Sequence, residues 1–414
     1  MIDLFWPGDA RAGDLMTNRT LVAELVRVEL AWYAVLAEAE IAPHVELAPQ
    51  SVLATVSEQE LAELSKSAES GGNPVLPLLA LLRSRLDRVT PAASRWLHLG
   101  LTSQDALDTA LILQLRDTLS AALAEVGSQA RVLRDLADRH RRTLSAARTL
   151  TQHAVPTTFG LTAAGWLQAI LDAADDLVRA RSLLRVQVGG AAGTLAAVAE
   201  LAGSASGAVA LGEDLARRLG LQSSVPWHTN RRTLTRTADA FVAVTDAWGR
   251  IANDVLIRVR PEIGELSEGN APGRGGSSTM PQKRNPVLSV LIRRAALAGP
   301  GLSAALHAAA AAAVDERPDG GWHAEWAPLR TLARQTVVAG RETTELVSNL
   351  VVHADRMRQT AEHAAKDLLA EQRSIRDLRT AEPAPLELTQ YLGATDLLID
   401  AAVERADRFV KELG

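Results

Sequence analysis

The stretch Gly275-Gly-Ser-Ser-Thr-Met-Pro-Gln-Lys-Arg-Asn-Pro286 decides how the rest of this 414-residue chain is interpreted. Its glycines allow backbone angles that other residues avoid, and Pro286 suits the first turn of a helix. Between them lie two hydroxyl groups and two nitrogen donors, on Ser277, Ser278, Lys283 and Asn285. A plain flexible loop is the alternative, but lysine occurs only four times in the chain. We therefore predict a mobile loop that leads into a helix N-terminus and binds an anionic substrate there.

The same stretch resembles the signature of the fumarase/aspartase superfamily. Most members of that superfamily are lyases that form fumarate, and one branch consists of cycloisomerases. The resemblance implies that Ser277 acts in proton transfer at carbon, and that Ser278, Lys283 and Asn285 contact substrate carboxylates. It also implies an all-α fold, an elongated long-helix bundle with small helical domains at both ends of the chain.

Composition excludes several classes of partner. A net charge of −5 gives no reason to expect nucleic acid or membrane as a partner, and the chain has no cysteine. No apolar run reaches the roughly 20 residues that a membrane span needs, and the N-terminus lacks a secretory pattern. No acidic or histidine cluster has the spacing of a metal site. We expect a cytoplasmic protein without a metal or cofactor.

Apolar residues recur at helical spacing along most of the chain. The spacing predicts shorter helices over 17–41, 51–66 (with Ser51 as N-cap), 355–378 and 394–413, and long helices over 104–150, 157–185, 229–260, 286–314 and 323–352. Breaks between them, together with the resemblance, suggest an N-terminal helical domain (1–105), a central long-helix bundle (106–340) and a C-terminal helical domain (341–414). Long apolar helix faces favour an oligomer. The resemblance implies a homotetramer whose active sites are each built from three chains.

A second chemical motif is His98-Leu-Gly-Leu-Thr-Ser-Gln-Asp105, at the start of the first long helix. Helix capping explains a Thr or Ser at such a position without any further role. The motif also resembles the first signature region of the superfamily. That resemblance implies that Thr102 and Ser103 contact a substrate carboxylate and that His98 lies near the site.

Three further residues are candidates for the site. His153, in Thr151-Gln-His-Ala-Val-Pro156, can move a proton near neutral pH, although a lone histidine before a helix is more often structural. Gln187 precedes the glycines of Gly189-Gly-Ala-Ala-Gly193, and the resemblance places this region near the active site. Arg231 either pairs with a substrate carboxylate or forms an exposed salt bridge.

One departure from the superfamily pattern bears on the reaction. Lyases of the superfamily usually carry a glutamate five residues after the asparagine of the loop, and this chain has Val290. In lacking this glutamate, the chain resembles the cycloisomerase branch. This resemblance implies lactonisation of 3-carboxy-cis,cis-muconate in protocatechuate degradation, with a small polycarboxylate as substrate and Ser277 or His153 as proton carrier. A β-eliminating lyase that releases fumarate from adenylosuccinate or another substituted succinate is the alternative, and a non-catalytic scaffold is a third possibility.

Overall fold

The computed structural model describes residues 3–269, 273–277, 279–379 and 386–413. It divides into two compact units. The first comprises residues 1–121, 177–241 and 300–337, and the second comprises residues 122–176, 242–299 and 338–414. The domain boundaries expected near residues 105 and 340 remain predictions.

Helices dominate the described residues, and the all-α prediction is confirmed. In chain order the helices are α1 (Asn18–Glu38), α2 (Gln50–Leu53), α3 (Glu58–Gly71), α4 (Val75–Leu86), α5 (Pro91–Ser94), α6 (Ser103–Arg139), α7 (Phe159–Ser182), α8 (Ala196–Ala202), α9 (Ala205–Leu219), α10 (Arg232–Arg258), α11 (Val287–Ala311), α12 (Gly320–Ser348), α13 (Ala354–His363), α14 (Ala365–Leu368), α15 (Ala370–Leu378) and α16 (Thr395–Leu413). The strands are β1 (Leu144–Thr149), β2 (Gln152–Thr158), β3 (Leu266–Ser267) and β4 (Val351–Val352), which pair β1 with β2 and β3 with β4, both antiparallel. Two 3-10 helices are Asp9–Ala12 and Leu388–Gln390.

The helix predicted over 104–150 is too long at its C-terminal end. α6 ends at Arg139, and residues 144–158 form the β1–β2 hairpin instead. Gly160 fixes this exit from the helix, because a Cβ there would lie 2.5 Å from the Ala137 carbonyl oxygen. The following helix starts at Phe159 rather than Thr157, since Thr157 and Thr158 pair with β1.

The helix predicted over 51–66 is also wrong, because two helices, α2 and α3, occupy this range. Ser57, not Ser51, is the N-cap of α3. Its hydroxyl accepts from the Glu60 backbone N–H, and the Glu60 carboxylate accepts from the Ser57 N–H. This capping box satisfies two N–H groups at once, which Ser51 cannot do without a glutamate three residues later.

The second unit is held at its centre by a tryptophan and a glutamine. Trp248 on α10 donates from Nε1 to Gln129 Oε1 on α6 over 2.7 Å, and Gln129 Nε2 donates to the Gly340 carbonyl on α12 over 3.0 Å. A Cβ on Gly340 would lie 2.9 Å from the Trp248 ring. α11 approaches α10 as closely, since a Cβ on Gly249 would lie 2.5 Å from that of Ala296.

One described helix, α11, is long and apolar enough, by length and composition alone, to cross a membrane. It contains Pro300 and is partly buried. A helix in the core of a globular protein meets the same criteria, so this finding does not establish a membrane segment. The cytoplasmic location stays a prediction.

Candidate functional site

The N-terminus of α6, in the first unit, offers unpaired hydrogen-bond donors. Thr102 donates its backbone N–H to the Asp105 carboxylate over 2.9 Å. Among the described residues no acceptor takes the N–H groups of Ser103 and Gln104, and no partner engages the Thr102 and Ser103 hydroxyls. The hydroxyls are therefore not used for capping, and this end of a 37-residue helix can bind a carboxylate.

Asp105, which sequence reasoning did not select as a site residue, organises the surroundings of this helix end. It is fully buried. One carboxylate oxygen accepts from the N–H groups of Thr102 and Gly190, both at 2.9 Å. The other lies 2.7 Å from His228 Nε2. A single carboxylate thus joins the motif at 98–105, the glycine-rich loop and the segment that precedes α10.

The glycine-rich loop packs closely against His228. A Cβ on Gly189 would lie 2.6 Å from the ring atom Cε1 of His228, so a larger residue does not fit without a rearrangement. Gln187, at the start of this loop, is buried, and its Oε1 accepts from the Trp227 backbone N–H over 2.8 Å. Its Nε2 is buried and has no partner among the described residues. This donor makes Gln187 a substrate-contact candidate, which stays a prediction.

Arg231 occupies a different environment from the one expected. Its side chain is 1% exposed and lies between Asp108 on α6 and Glu325 on α12. Nε donates to Glu325, Nη1 to Asp108 and the His228 carbonyl, and Nη2 to both carboxylates, at 2.7–3.2 Å. These contacts use the five N–H groups of a guanidinium. In this arrangement Arg231 has no donor left for a substrate, and its pairing is neither with substrate nor on the surface.

The pKa shifts of Arg231 and Glu325 agree with a buried ion cluster formed by Arg231, Asp108 and Glu325. Burial by itself lowers the pKa of Arg231, but the charge of Asp108 and the hydrogen bonds to both carboxylates outweigh it and raise that pKa. Burial raises the pKa of Glu325, and the Arg231 guanidinium offsets part of this effect. Trp322 Nε1 donates a further bond to Asp108 over 3.0 Å.

His98 lies in the same unit, four residues before Thr102. Its backbone is left-handed, with φ +65°, and its side chain is 12% exposed. Nδ1 lies 2.7 Å from Oε1 of Glu29 on α1. The structure therefore places Thr102, Ser103, His98 and Gln187 in the first unit.

The remaining predicted residues belong to the second unit. His153 is exposed on β2, directly across from Arg148 on β1, and no described residue forms a hydrogen bond with its ring. Arg148 pairs with buried Glu265 at 2.6 Å, and Arg258 pairs with the same carboxylate at 2.9 Å. This ion cluster ties the hairpin to the end of α10, so the position of His153 is well supported although its ring is free.

The loop after residue 272 carries Ser277, whose Oγ accepts from the backbone N–H of Met280 over 3.1 Å. Asn285 donates its backbone N–H and its Nδ2 to the Gly275 carbonyl, at 2.8 and 3.2 Å. Gly275 has φ +69°, and a Cβ there would lie 2.5 Å from the Asn285 carbonyl oxygen. Lys283 is exposed and no described residue pairs with its side chain. Ser278 lies outside the described residues.

The helix N-terminus that follows this loop does not offer the anion site that the sequence predicted. Glu268 accepts from the N–H groups of Leu288 and Ser289, at 3.2 and 2.8 Å, and from the Ser289 hydroxyl at 2.6 Å. A carboxylate of the protein already occupies the positive end of α11. The loop's remaining candidates for binding an anion are its side chains.

Sequence reasoning missed the buried acids that support the site: Glu29, Asp105, Asp108 and Glu325. The sequence does contain a signal for these acids, namely their position on apolar helix faces. Glu29 falls among the buried residues of α1, between Val26 and Trp32, and Asp105 and Asp108 fall on an apolar part of α6. A carboxylate on a buried face needs a partner. Among the described residues, no group of three or more His, Asp or Glu side chains could hold a metal ion.

Comparison with known proteins shows which family the chain belongs to. A family model described as "Lyase" matches residues 17–300. The chain is a member of this lyase family, within the fumarase/aspartase superfamily. It is 39% identical over 397 residues to a nitrosuccinate lyase of Streptomyces davaonensis. The alignment covers 92% of this chain and 81% of the relative.

Relatives named as cycloisomerases include one that is as similar in sequence as the nitrosuccinate lyase. The chain is 39% identical over 351 residues to the 3-carboxy-cis,cis-muconate cycloisomerase of Pseudomonas aeruginosa, covering 84% of this chain and 75% of that one. The crystal structure of the 3-carboxy-cis,cis-muconate lactonizing enzyme from Pseudomonas putida superposes with a TM-score of 0.84 at 32% identity, covering 96% and 97% of the two chains. An enzyme of the lyase superfamily is therefore established, and the substrate is left to be assigned.

Proposed function

We propose that this enzyme lactonises 3-carboxy-cis,cis-muconate to a carboxymuconolactone. The observation that carries the proposal is the α6 N-terminus, where the hydroxyls of Thr102 and Ser103 and the N–H groups of Ser103 and Gln104 have no partner among the described residues. Similarity to cycloisomerases across most of the chain supports it. Val290, 52% exposed on α11, supplies no carboxylate of the kind that fumarate-forming relatives usually carry there.

In this reaction the substrate supplies its own nucleophile. A carboxylate oxygen forms a C–O bond to one alkene carbon, the π electrons move toward the adjacent carbon, and that carbon takes a proton. The intermediate is an enediolate, whose developing charge ordered N–H and hydroxyl donors stabilise. One carboxylate disappears as a charge when the lactone forms, so each turnover consumes one proton from solution. The protein has to position the trianion and deliver that proton.

The loop residues complete the proposal. Lys283, Asn285 and Ser278 would contact the other carboxylates, and Ser277 or His153 would carry the proton, as the sequence suggests. We further propose that the enzyme is a homotetramer with active sites shared between subunits, in which the loop and the α6 N-terminus of different chains meet. Arg231 is left out of the substrate contacts because its donors are already engaged.

A second candidate function has its own support. The relative that covers 92% of this chain is named for nitrosuccinate, a substituted succinate. Such a lyase would take a proton from one carbon while the neighbouring C–N bond breaks, giving fumarate and nitrite. The proton then appears in solution, because nitrite is too weak a base to hold a proton at neutral pH. Cyclisation and elimination thus move the proton in opposite directions at the same kind of site.

This opposite proton balance is the basis of the test. Purified enzyme is mixed in weak buffer containing a pH indicator with 3-carboxy-cis,cis-muconate or with nitrosuccinate, while diene absorbance and nitrite are followed. We expect loss of the diene with uptake of one proton per molecule. Nitrite release with one proton liberated, and an unchanged diene, would overturn the cycloisomerase proposal in favour of the lyase. Adenylosuccinate serves as a third substrate.

Two variants connect the activity to the proposed site. Ser103→Ala and Lys283→Met should each raise KM for the trianion, because each removes a donor to a carboxylate. The exposed Lys411→Met, on α16, is the matched control for loss of a lysine charge and should leave KM unchanged. Unchanged KM in all three would contradict the assignment of the α6 N-terminus and the loop as the binding site.

A further inference from the structure

Four arginines of the first unit form a cluster that lacks counter-charges. Two of them lie in the last turn of α7 and just beyond it, and two lie in the first turns of α10: Arg179, Arg185, Arg232 and Arg236. Across the part of the chain that the structure describes, no carboxylate, hydrogen-bond acceptor or aromatic ring pairs with any of these four guanidinium groups. Such a cluster is unexpected in a chain with a net charge of −5.

The packing of the first unit brings these side chains together. Arg232 and Arg236 are four residues apart on α10, so they lie on the same face of that helix. The segment that follows α7 runs beside the segment that precedes α10, because the Val186 carbonyl accepts from Trp227 Nε1 over 2.8 Å. Arg185 directly precedes Val186, so its backbone is fixed near the start of α10.

The cluster carries an electrostatic cost. Burial lowers the pKa of Arg236, and the charges of the other three arginines lower it further. Arg185 is half-buried, and its Nε is buried with no partner among the described residues. Arg179 complements the negative end of the α7 dipole, but Arg232 lies at the positive end of α10, where a cation is unfavourable. Uncompensated charges and a buried unpaired donor indicate a missing anion.

Acids that are close to the cluster in sequence do not neutralise it. Asp176 lies one turn before Arg179 on α7, yet the described side chains form no ion pair there. Asp239 lies one turn after Arg236 on α10, but its carboxylate is 2.9 Å from His307 Nε2 instead. All four positive charges of the cluster are therefore available to an anion from solution.

We propose that the four-arginine cluster binds a small anion that carries two or more negative charges on phosphate or carboxylate oxygens. Guanidinium groups bind both kinds of oxyanion through paired N–H donors. A monocarboxylate neutralises a single charge, so a multivalent anion matches the cluster better. A phosphate compound and a polycarboxylate are the two sources of such an anion. The site is additional to the proposed function, because it involves none of the residues assigned to the substrate.

The experiment measures the binding of pyrophosphate and of propane-1,2,3-tricarboxylate to the full-length protein by isothermal titration calorimetry. Acetate is the monovalent reference, and the ionic strength is kept constant. We expect a multivalent probe to bind where acetate does not. Its Kd should rise at least about tenfold in Arg232→Gln/Arg236→Gln, because charge-assisted hydrogen bonds are lost. A larger loss of pyrophosphate binding assigns the site to phosphate compounds, and a larger loss of tricarboxylate binding assigns it to polycarboxylates.

Three controls accompany this double variant. Arg88→Gln/Arg95→Gln removes two exposed arginines elsewhere in the first unit and should leave Kd unchanged. Arg232→Lys/Arg236→Lys keeps the charges but loses the paired donors, so its Kd should be intermediate. Without a ligand, Arg232→Gln/Arg236→Gln should unfold at the same urea concentration as the wild type or at a higher one, because repulsion is removed. This result would show that a loss of binding is not a loss of folding.

Two results would overturn the proposal. The first is that neither probe binds to the wild type, or that both bind equally well to Arg232→Gln/Arg236→Gln. The second is that this variant has a lower assembly mass in light scattering while its anion binding is unchanged, in which case acids of a second copy of the chain compensate the cluster. Neither result requires turnover. Failure of the proposed function is seen separately, as a wild-type enzyme that converts neither candidate substrate.

Discussion

Replacing Arg231 with methionine separates a structural role from substrate binding. The variant removes a guanidinium whose donors all bond to Asp108, Glu325 and the His228 carbonyl. Asp108 keeps two donors, Trp322 Nε1 at 3.0 Å and Gln104 Nε2 at 3.2 Å. Glu325 keeps none among the described residues, so it bears most of the loss.

The size of the effect follows from burial. The side chains of Asp108 and Glu325 are 0% and 2% exposed, so water does not replace the lost donors. Removing one partner of a buried ion pair costs about 3–5 kcal/mol. We expect this decrease in the free energy of urea-induced unfolding at pH 8. Arg232→Met, the exposed neighbour, should change it by less than about 0.5 kcal/mol.

The pH dependence gives a second check. In the variant, burial without a cation raises the pKa of Glu325 above its value in the unfolded chain, about 4.3. A group with a raised folded-state pKa stabilises the fold below its unfolded pKa, and this stability is lost as pH rises through the folded pKa. The deficit of Arg231→Met relative to the wild type should therefore be smaller at pH 5.5 than at pH 8. A variant as stable as the wild type, with a large loss of substrate affinity, would refute the structural role.

Two glycine pairs give further predictions, each with a control of the same chemistry. Gly275→Ala places a Cβ in a left-handed position against the backbone of the loop, so kcat/KM should fall tenfold or more while urea stability changes little. At Gly276 no described atom beyond the adjacent residues lies within 4 Å of an added Cβ, so Gly276→Ala should keep near wild-type activity. Gly249→Ala overpacks the contact of α10 with α11 and should lower the free energy of unfolding by about 1–3 kcal/mol. Gly165→Ala, in α7 with open space around it, should raise it by about 0.5–1 kcal/mol.

The fold class could be predicted from periodicity, and most long helices lie where the apolar spacing placed them. The error at 144–158 has a physical cause. Leucines at helical spacing continue to Leu136, but the next segment contains several threonines and Pro156, which form a hairpin once Gly160 lets the chain pack against the end of α6. That contact is tertiary, so helix periodicity alone does not predict it.

Of the candidate site, the sequence predicted the side chains within motifs but not the buried acids that orient them. Motif resemblance selected hydroxyl, amide and imidazole groups, of which Thr102, Ser103, His98 and Gln187 share one unit of the structure. The acids that orient them lie elsewhere in sequence: Glu29 is 69 residues from His98, and Asp105 is 123 residues from His228. Such pairs are set by the packing of helices, which a single sequence does not specify.

Buried acids of this kind bear on how the proposed site for a polyanionic substrate fits in an acidic chain. Each of the four buried acids has a partner among the described residues: Asp105 has N–H groups and His228, one oxygen of Glu29 has His98, and Asp108 and Glu325 have Arg231. Matched carboxylates present little net repulsion to an incoming anion, whereas the first N–H groups of α6 remain open. Under the proposed function, the acids hold donors in place and the helix end attracts the substrate. A substitution that leaves one of these acids unmatched should consequently weaken substrate binding even when it touches no substrate atom.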